Sequence, residues 1–202
     1  QTGLFLYEAQ QSGNFEQLTV AEVAPEIVAA VRTAQGRFQI NIAGANGIER
    51  QSVGPVALYD PHAADERAAL VEAVAGADEL ATALPSVRFY EAGGDASVVS
   101  VLADGLALRA RRADRRQSIL YAAENHNHAA EILEECLARR LAIAPAELRG
   151  QIQCLNTVIG KMSGIVADET QIAAQGLARM TGNSGRCVLV ETFNRILISK
   201  IN

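Results

Sequence analysis

Apolar residues along this chain alternate between short runs and stretches with helical spacing, the rhythm of strands and helices in turn. Leu4-Phe5-Leu6-Tyr7 predicts a strand ending at Glu8, with Ser12, Gly13 and Asn14 as the loop after it. Val23, Ile27, Val28 and Val31 share one face of a helix over 24–34, and Pro25 suits its first turn. Residues 37–43 alternate, with Phe38, Ile40 and Ile42 facing one way, and Val53, Val56, Leu58 and Tyr59 follow Asn46-Gly47. Asn-Gly between two β-rich runs signals a hairpin, so 37–60 reads as a two-stranded insertion at a sheet edge. Leu70, Val71 and Val74 lie on a short helix ending at Gly76, and 79–84 is a strand stopped by Pro85. A helix is predicted over 96–112, a strand over 119–124, a helix over 126–140 and a helical turn from Pro145. The runs 152–159 and 187–198 are apolar and extended, adding strands within 151–202. Alternation at these lengths indicates βαβ units and a mostly parallel sheet.

The most informative stretch is Ile119-Leu120-Tyr121-Ala122-Ala123-Glu124-Asn125-His126-Asn127-His128. A buried strand here delivers polar groups at its carboxyl end, and a helix carrying Ala129, Ala130, Ile132, Leu133, Cys136 and Leu137 starts at once. In open α/β sheets ligands bind in the crevice outside the carboxyl ends of the strands, which makes this corner a candidate site. Asn125 suits either a helix N-cap or a ligand contact. His126 and His128 lie two apart, so in a helix they point in different directions; only Glu131 could share a face with His128. Structural zinc normally takes four ligands, and no metal site is expected.

With 202 residues, 49% hydrophobic and 20% charged, the chain is long and apolar enough for one domain with a sizeable core, spanning 1–202. A formal charge of −5 argues against a nucleic-acid surface. No apolar run reaches the roughly 18 residues of a membrane span. Cys136, Cys154 and Cys187 sit among aliphatic residues and read as reduced core thiols of a cytoplasmic protein. Arg109, Arg111, Arg112, Arg115 and Arg116 form one basic run, read as a solvated helix end against the negative pole of the dipole.

Several stretches, in order, resemble the polyol-specific long-chain dehydrogenases, most closely the mannitol-1-phosphate 5-dehydrogenase and mannitol dehydrogenase branch. They are Leu4-Phe5-Leu6-Tyr7-Glu8, the hairpin 37–60, Ala81-Thr82-Ala83-Leu84, Ala123-Glu124-Asn125, Asn156-Thr157-Val158-Ile159-Gly160-Lys161 and Val190-Glu191-Thr192-Phe193. The resemblance implies an α/β, Rossmann-like domain that binds NAD and serves the metal-free oxidation of a sugar alcohol or its phosphate. It places Glu8 on the adenosine ribose, where a carboxylate favours NAD over NADP. Thr82, Ala83, Leu84 and Glu124 would border the cofactor; Lys161 is read as a substrate contact from its own place after an apolar strand. Asn125 would hold the substrate oxygen as negative charge develops on it.

The sequence also departs from that family. The first strand and its glycine-rich loop are not found, and Gly182-Asn183-Ser184-Gly185 leads towards a strand rather than a helix. The family's lysine general base belongs to a C-terminal helical domain, expected as a missing partner of this chain. Gly160-Lys161 stands where the family usually carries Asp-Arg. The expectation is a piece of the enzyme, or a divergent relative, that does not turn over alone. The alternatives are a non-catalytic α/β nucleotide-binding or assembly module and, since fold does not fix function, a methyltransferase using an acidic strand end.

Overall fold

The computed structural model describes residues 2–112, 116–159, 163–182, 184–192 and 196–199. In chain order they form α1 (Thr2–Ser12), β1 (Thr19–Ala21), α2 (Pro25–Thr33), β2 (Phe38–Gly44), β3 (Gly47–Val53), β4 (Ala57–Tyr59), α3 (Ala64–Gly76) and β5 (Glu79–Thr82). Two 3-10 turns, Val87–Phe89 and Gly94–Ala96, lead to α4 (Val98–Arg111), β6 (Ser118–Ala122), α5 (Ala129–Leu141) and α6 (Pro145–Arg149). Then come β7 (Ile152–Ile159), β8 (Ser163–Val166), α7 (Glu169–Gln175), β9 (Cys187–Glu191) and β10 (Ile196–Ile198). Two compact units result: 1–60 with 160–195, and 61–159 with 196–202. No helix among the described residues is long and apolar enough to cross a membrane.

The second unit is an α/β layer built on a sheet of order β10-β7-β6-β5. Strands β5, β6 and β7 run parallel, and β10 pairs antiparallel with β7. In β6, Ser118, Leu120 and Ala122 are buried while Ile119 and Tyr121 are half-buried, as expected of a strand covered on both faces. Helix α5 packs on β6 and β7, α4 on α5, and α3 on α4. Leu120, Leu133, Leu137, Ile152 and Leu155 form the buried centre.

One member of the basic run is not solvated. Leu102, Leu106 and Arg109 follow each other at helical spacing on the buried face of α4, and Arg109 is only 2% exposed. Its guanidinium donates from Nη2 to the carbonyls of Val74 (2.8 Å) and Ala77 (2.7 Å), and from Nε to that of Ala75 (2.9 Å). Nη1 reaches Ser118 Oγ at 2.5 Å. These are the orphan carbonyls at the end of α3, which an arginine can satisfy in place of solvent. Arg112 and Arg116 do lie at the surface, paired with Glu72 (2.8 Å) and Asp78 (3.1 Å).

In the first unit, sheet order is β3-β2-β9-β8, with β2 and β9 parallel at the centre, and β1 pairs parallel with β4. Val20, Val31, Phe38, Ile40, Val53, Val56 and Met180 pack together there. Asn41, fully buried, spends its amide on Ala178 and Val188: Nδ2 donates to both carbonyls (2.8 and 3.0 Å) and Oδ1 accepts from Ala178 N–H.

Three expectations need correction. The 4–7 run is not a strand but the middle of helix α1, whose stop is Gly13 at φ +67. Short apolar runs do not distinguish strand from buried helix by period, and Glu8-Ala9-Gln10-Gln11 are helix formers. The hairpin forms, with Gly44 opposite Gly47, but its two-residue turn is Ala45-Asn46 and the positive φ falls on Gly47. Only β3 is an edge; β2 is covered by β9. The 187–198 run splits into β9 and β10, which belong to different units.

The cysteines are free thiols, Cys136 and Cys187 buried and Cys154 half-buried. Burial pushes all three thiols up, Cys154 to about 12. Because only the thiolate reacts, native chain at pH 7.5 should react with a disulfide reagent at least about 10²-fold more slowly than free cysteine. Stopped-flow absorbance gives the rate, and urea should release all three thiols together.

Candidate functional site

The carboxyl ends of β5 and β6 are joined by one side chain. Glu124, two residues past β6 and 2% exposed, turns its carboxylate inward. Oε1 accepts from the Leu84 amide at 2.8 Å; Oε2 accepts from the Thr82 hydroxyl at 2.9 Å and the Tyr90 hydroxyl at 2.5 Å. Two bonds to backbone carbonyls continue the join, Ala123 N–H to Thr82 and the Thr157 hydroxyl to Ala122, both 3.0 Å. Burial, followed by the Glu124 carboxylate it donates to, pushes the Tyr90 phenol far up, so it stays protonated as a donor. Thr82 and Glu124 therefore have their polar atoms turned to each other, while Ala83 and Leu84 are half-buried in the turn that follows β5.

The chain then turns sharply. His126 N–H donates to the Glu124 carbonyl at 2.7 Å, closing a three-residue turn with Asn125 at its apex. Asn125 is exposed, and its amide makes no hydrogen bond to any described residue. It is not the helix cap: the N-cap of α5 is His128, which gives no side-chain cap bond. The cap comes from the neighbouring strand, where Asn156 Oδ1 accepts from Ala130 N–H at 2.9 Å. Asn156 Nδ2 donates to Glu131 at 2.7 Å, and this bond, helped by the nearby histidines, holds the Glu131 carboxyl below the usual range.

His126 and His128 are exposed beside Asn125. His126 Nδ1 accepts from the His128 N–H at 3.1 Å, leaving its Nε2 outward as a donor when neutral; His128 lies 4.0 Å from Glu131. Among the described residues no three His, Cys, Asp or Glu side chains are grouped to hold a metal ion.

Glu8 belongs to the first unit, on helix α1. The strand end on which its ribose role rested does not exist. It borders a groove of about 670 Å³ whose described lining also takes in Glu49 and Glu191. Glu191 ends β9 in this unit, and Glu22 stands directly after β1, a strand the sequence reading missed because it has only three residues. Glu22 Oε1 accepts from Val23 N–H (2.8 Å) and Ala24 N–H (3.0 Å), tying β1 to the start of α2. The signal was present: Thr19-Val20-Ala21 is β-compatible, and an acidic residue precedes a helix begun by Pro25. Lys161 lies outside the described residues.

Comparisons with solved structures agree with this architecture. A D-sorbitol dehydrogenase in substrate-free form superposes with a TM-score of 0.71 over 90% of this chain and 43% of its own, at 8% identity. The Pseudomonas fluorescens mannitol 2-dehydrogenase, in ternary complex with NAD and D-mannitol, gives 0.61 over 87% and 41%, at 13% identity. The fold shared with them is mixed α/β and Rossmann-like. The chain spans about two fifths of the length of these two structures. No protein-family model matches the sequence, and no curated protein matches it in sequence.

Proposed function

We propose that residues 1–202 are the Rossmann-type cofactor domain of a NAD-dependent dehydrogenase acting on a sugar alcohol or its phosphate. The observation that carries this reading is Asn125, a free amide at a turn apex, set at the carboxyl end of a parallel strand by a buried carboxylate. The fold shared with two polyol dehydrogenases supports it. Ala83 and Leu84 border the nicotinamide end of the cofactor, and Asn125 Nδ2 donates to the substrate oxygen as its proton leaves. NAD, when bound, accepts the hydride. Thr82 and Glu124 act behind this surface, since their polar atoms are already engaged. The general base comes from a helical domain beyond this span, and Lys161 contacts the substrate.

Titration followed by nicotinamide fluorescence tests the reading. NADH and NADPH are compared, and NADH should bind saturably. No saturable signal with either would sink it. In a turnover assay with D-sorbitol or D-mannitol, on a chain that carries the general-base domain as well, Asn125→Ala should lower kcat by about 10²-fold, the usual loss for one preorganised oxyanion donor. Because the amide makes no internal bond, the melting temperature should stay within about 2 °C of wild type.

A further inference from the structure

We infer that Glu124 is a positioning residue: its buried carboxylate fixes the backbone from which Asn125 projects, rather than binding the cofactor itself. Two features of one residue carry this. The side chain is fastened at both oxygens, to the Leu84 amide on one side and to the Thr82 and Tyr90 hydroxyls on the other. The carbonyl of the same residue accepts the His126 N–H and so closes the turn that displays Asn125. Between a fastened residue 124 and a closed turn, Asn125 has little freedom left. A carboxylate suits this post because it is acceptor-only: it takes three donors that an amide or hydroxyl cannot take together. The Leu84 amide is fixed by the same group, so the segment after β5 and the turn after β6 are set jointly.

The purpose of that arrangement rests on the dehydrogenase reading, but the arrangement itself is measured without ligand. ¹⁵N relaxation on the chain gives the test, with Glu124→Ala, Glu124→Gln and Tyr90→Phe beside wild type. Wild-type Asn125 and Leu84 should show order parameters near about 0.85, the rigid-backbone value. Glu124→Ala should drop both below about 0.6 while Leu120 and Leu155 stay rigid. Should Glu124→Ala fail to fold, Glu124→Gln, which has one acceptor oxygen where the carboxylate has two, should give a smaller drop at the same two residues. Tyr90→Phe separates positioning from general support: it lowers thermal stability yet leaves Asn125 rigid, because two of the three donors remain. Asn125 as rigid in the Glu124 variants as in wild type, or loosened equally by Tyr90→Phe, overturns the inference. Wild type that binds no NADH overturns the dehydrogenase reading instead, and the relaxation data still decide the role of Glu124.

Discussion

Arg109→Leu is expected to destabilise the second unit by about 3–5 kcal/mol, the scale of breaking a buried charged network by removing one partner. The guanidinium serves three carbonyls at the end of α3 and the Ser118 hydroxyl at the start of β6, all within 3.0 Å. Leucine fits the apolar face of α4 but donates nothing. The Val74 carbonyl then keeps the Ala77 N–H, the Ala77 carbonyl keeps the Ser118 hydroxyl, and the Ala75 carbonyl loses its arginine donor. A buried polar group left unpaired costs about 1–3 kcal/mol, without strict additivity. The bonds also join α3, α4 and β6, so the loss is felt by the whole unit. Arg109→Lys, with one compact ammonium in place of a fork, should recover only part of it. Urea unfolding followed by far-UV circular dichroism reads the effect as a lower midpoint at unchanged slope. A midpoint shift worth less than about 1 kcal/mol would show that water or a neighbouring donor replaces the guanidinium.

Glu124→Met should cost a similar amount, about 3–5 kcal/mol, for the opposite chemical reason: donors, rather than acceptors, are stranded. Methionine is close in volume and needs no polar partner. It leaves the Leu84 amide and the Thr82 and Tyr90 hydroxyls facing an apolar side chain. Combining the change with Thr82→Val and Tyr90→Phe removes two of those donors, so the triple variant should regain part of the stability lost by the single one. Replacing both sides of a buried hydrogen bond by apolar groups is much less costly than removing one side. A triple variant less stable than Glu124→Met would contradict the assignment of the loss to stranded donors. Thermal unfolding of the variants, compared at one pH, makes the comparison.

What could be read from the residues follows from how local each signal is. The apolar run into Glu124-Asn125 was legible as a strand end because the hydrophobic stretch, the polar corner and the next helix are contiguous. The β2–β3 hairpin was legible from Gly47 and the alternation on each side of it. Residues 4–7 were misread because four apolar residues fit a helix as well as a strand, and β1 escaped because three residues show no period. Glu8 was consequently placed at a strand end, whereas it lies on helix α1. The work of Glu124 and Arg109 was hidden for a further reason. A charged residue is exposed by default, and it takes partners mostly 32 to 42 residues away in sequence to show that these two are buried and bonded. The spacing Leu102, Leu106, Arg109 was the one local hint, since it sets the arginine on the apolar side of its helix.

The central claim is that the rim formed by the ends of β5 and β6 is where ligand meets this domain. The direct test is a ¹H–¹⁵N spectrum of the chain titrated with NAD and D-mannitol. The shifts should concentrate at Ala83, Leu84, Asn125 and His126, with the amino-terminal ends of β5, β6 and β7, at Glu79, Ser118 and Ile152, unmoved. Shifts confined to those amino-terminal ends, or none at saturating NAD, would contradict it.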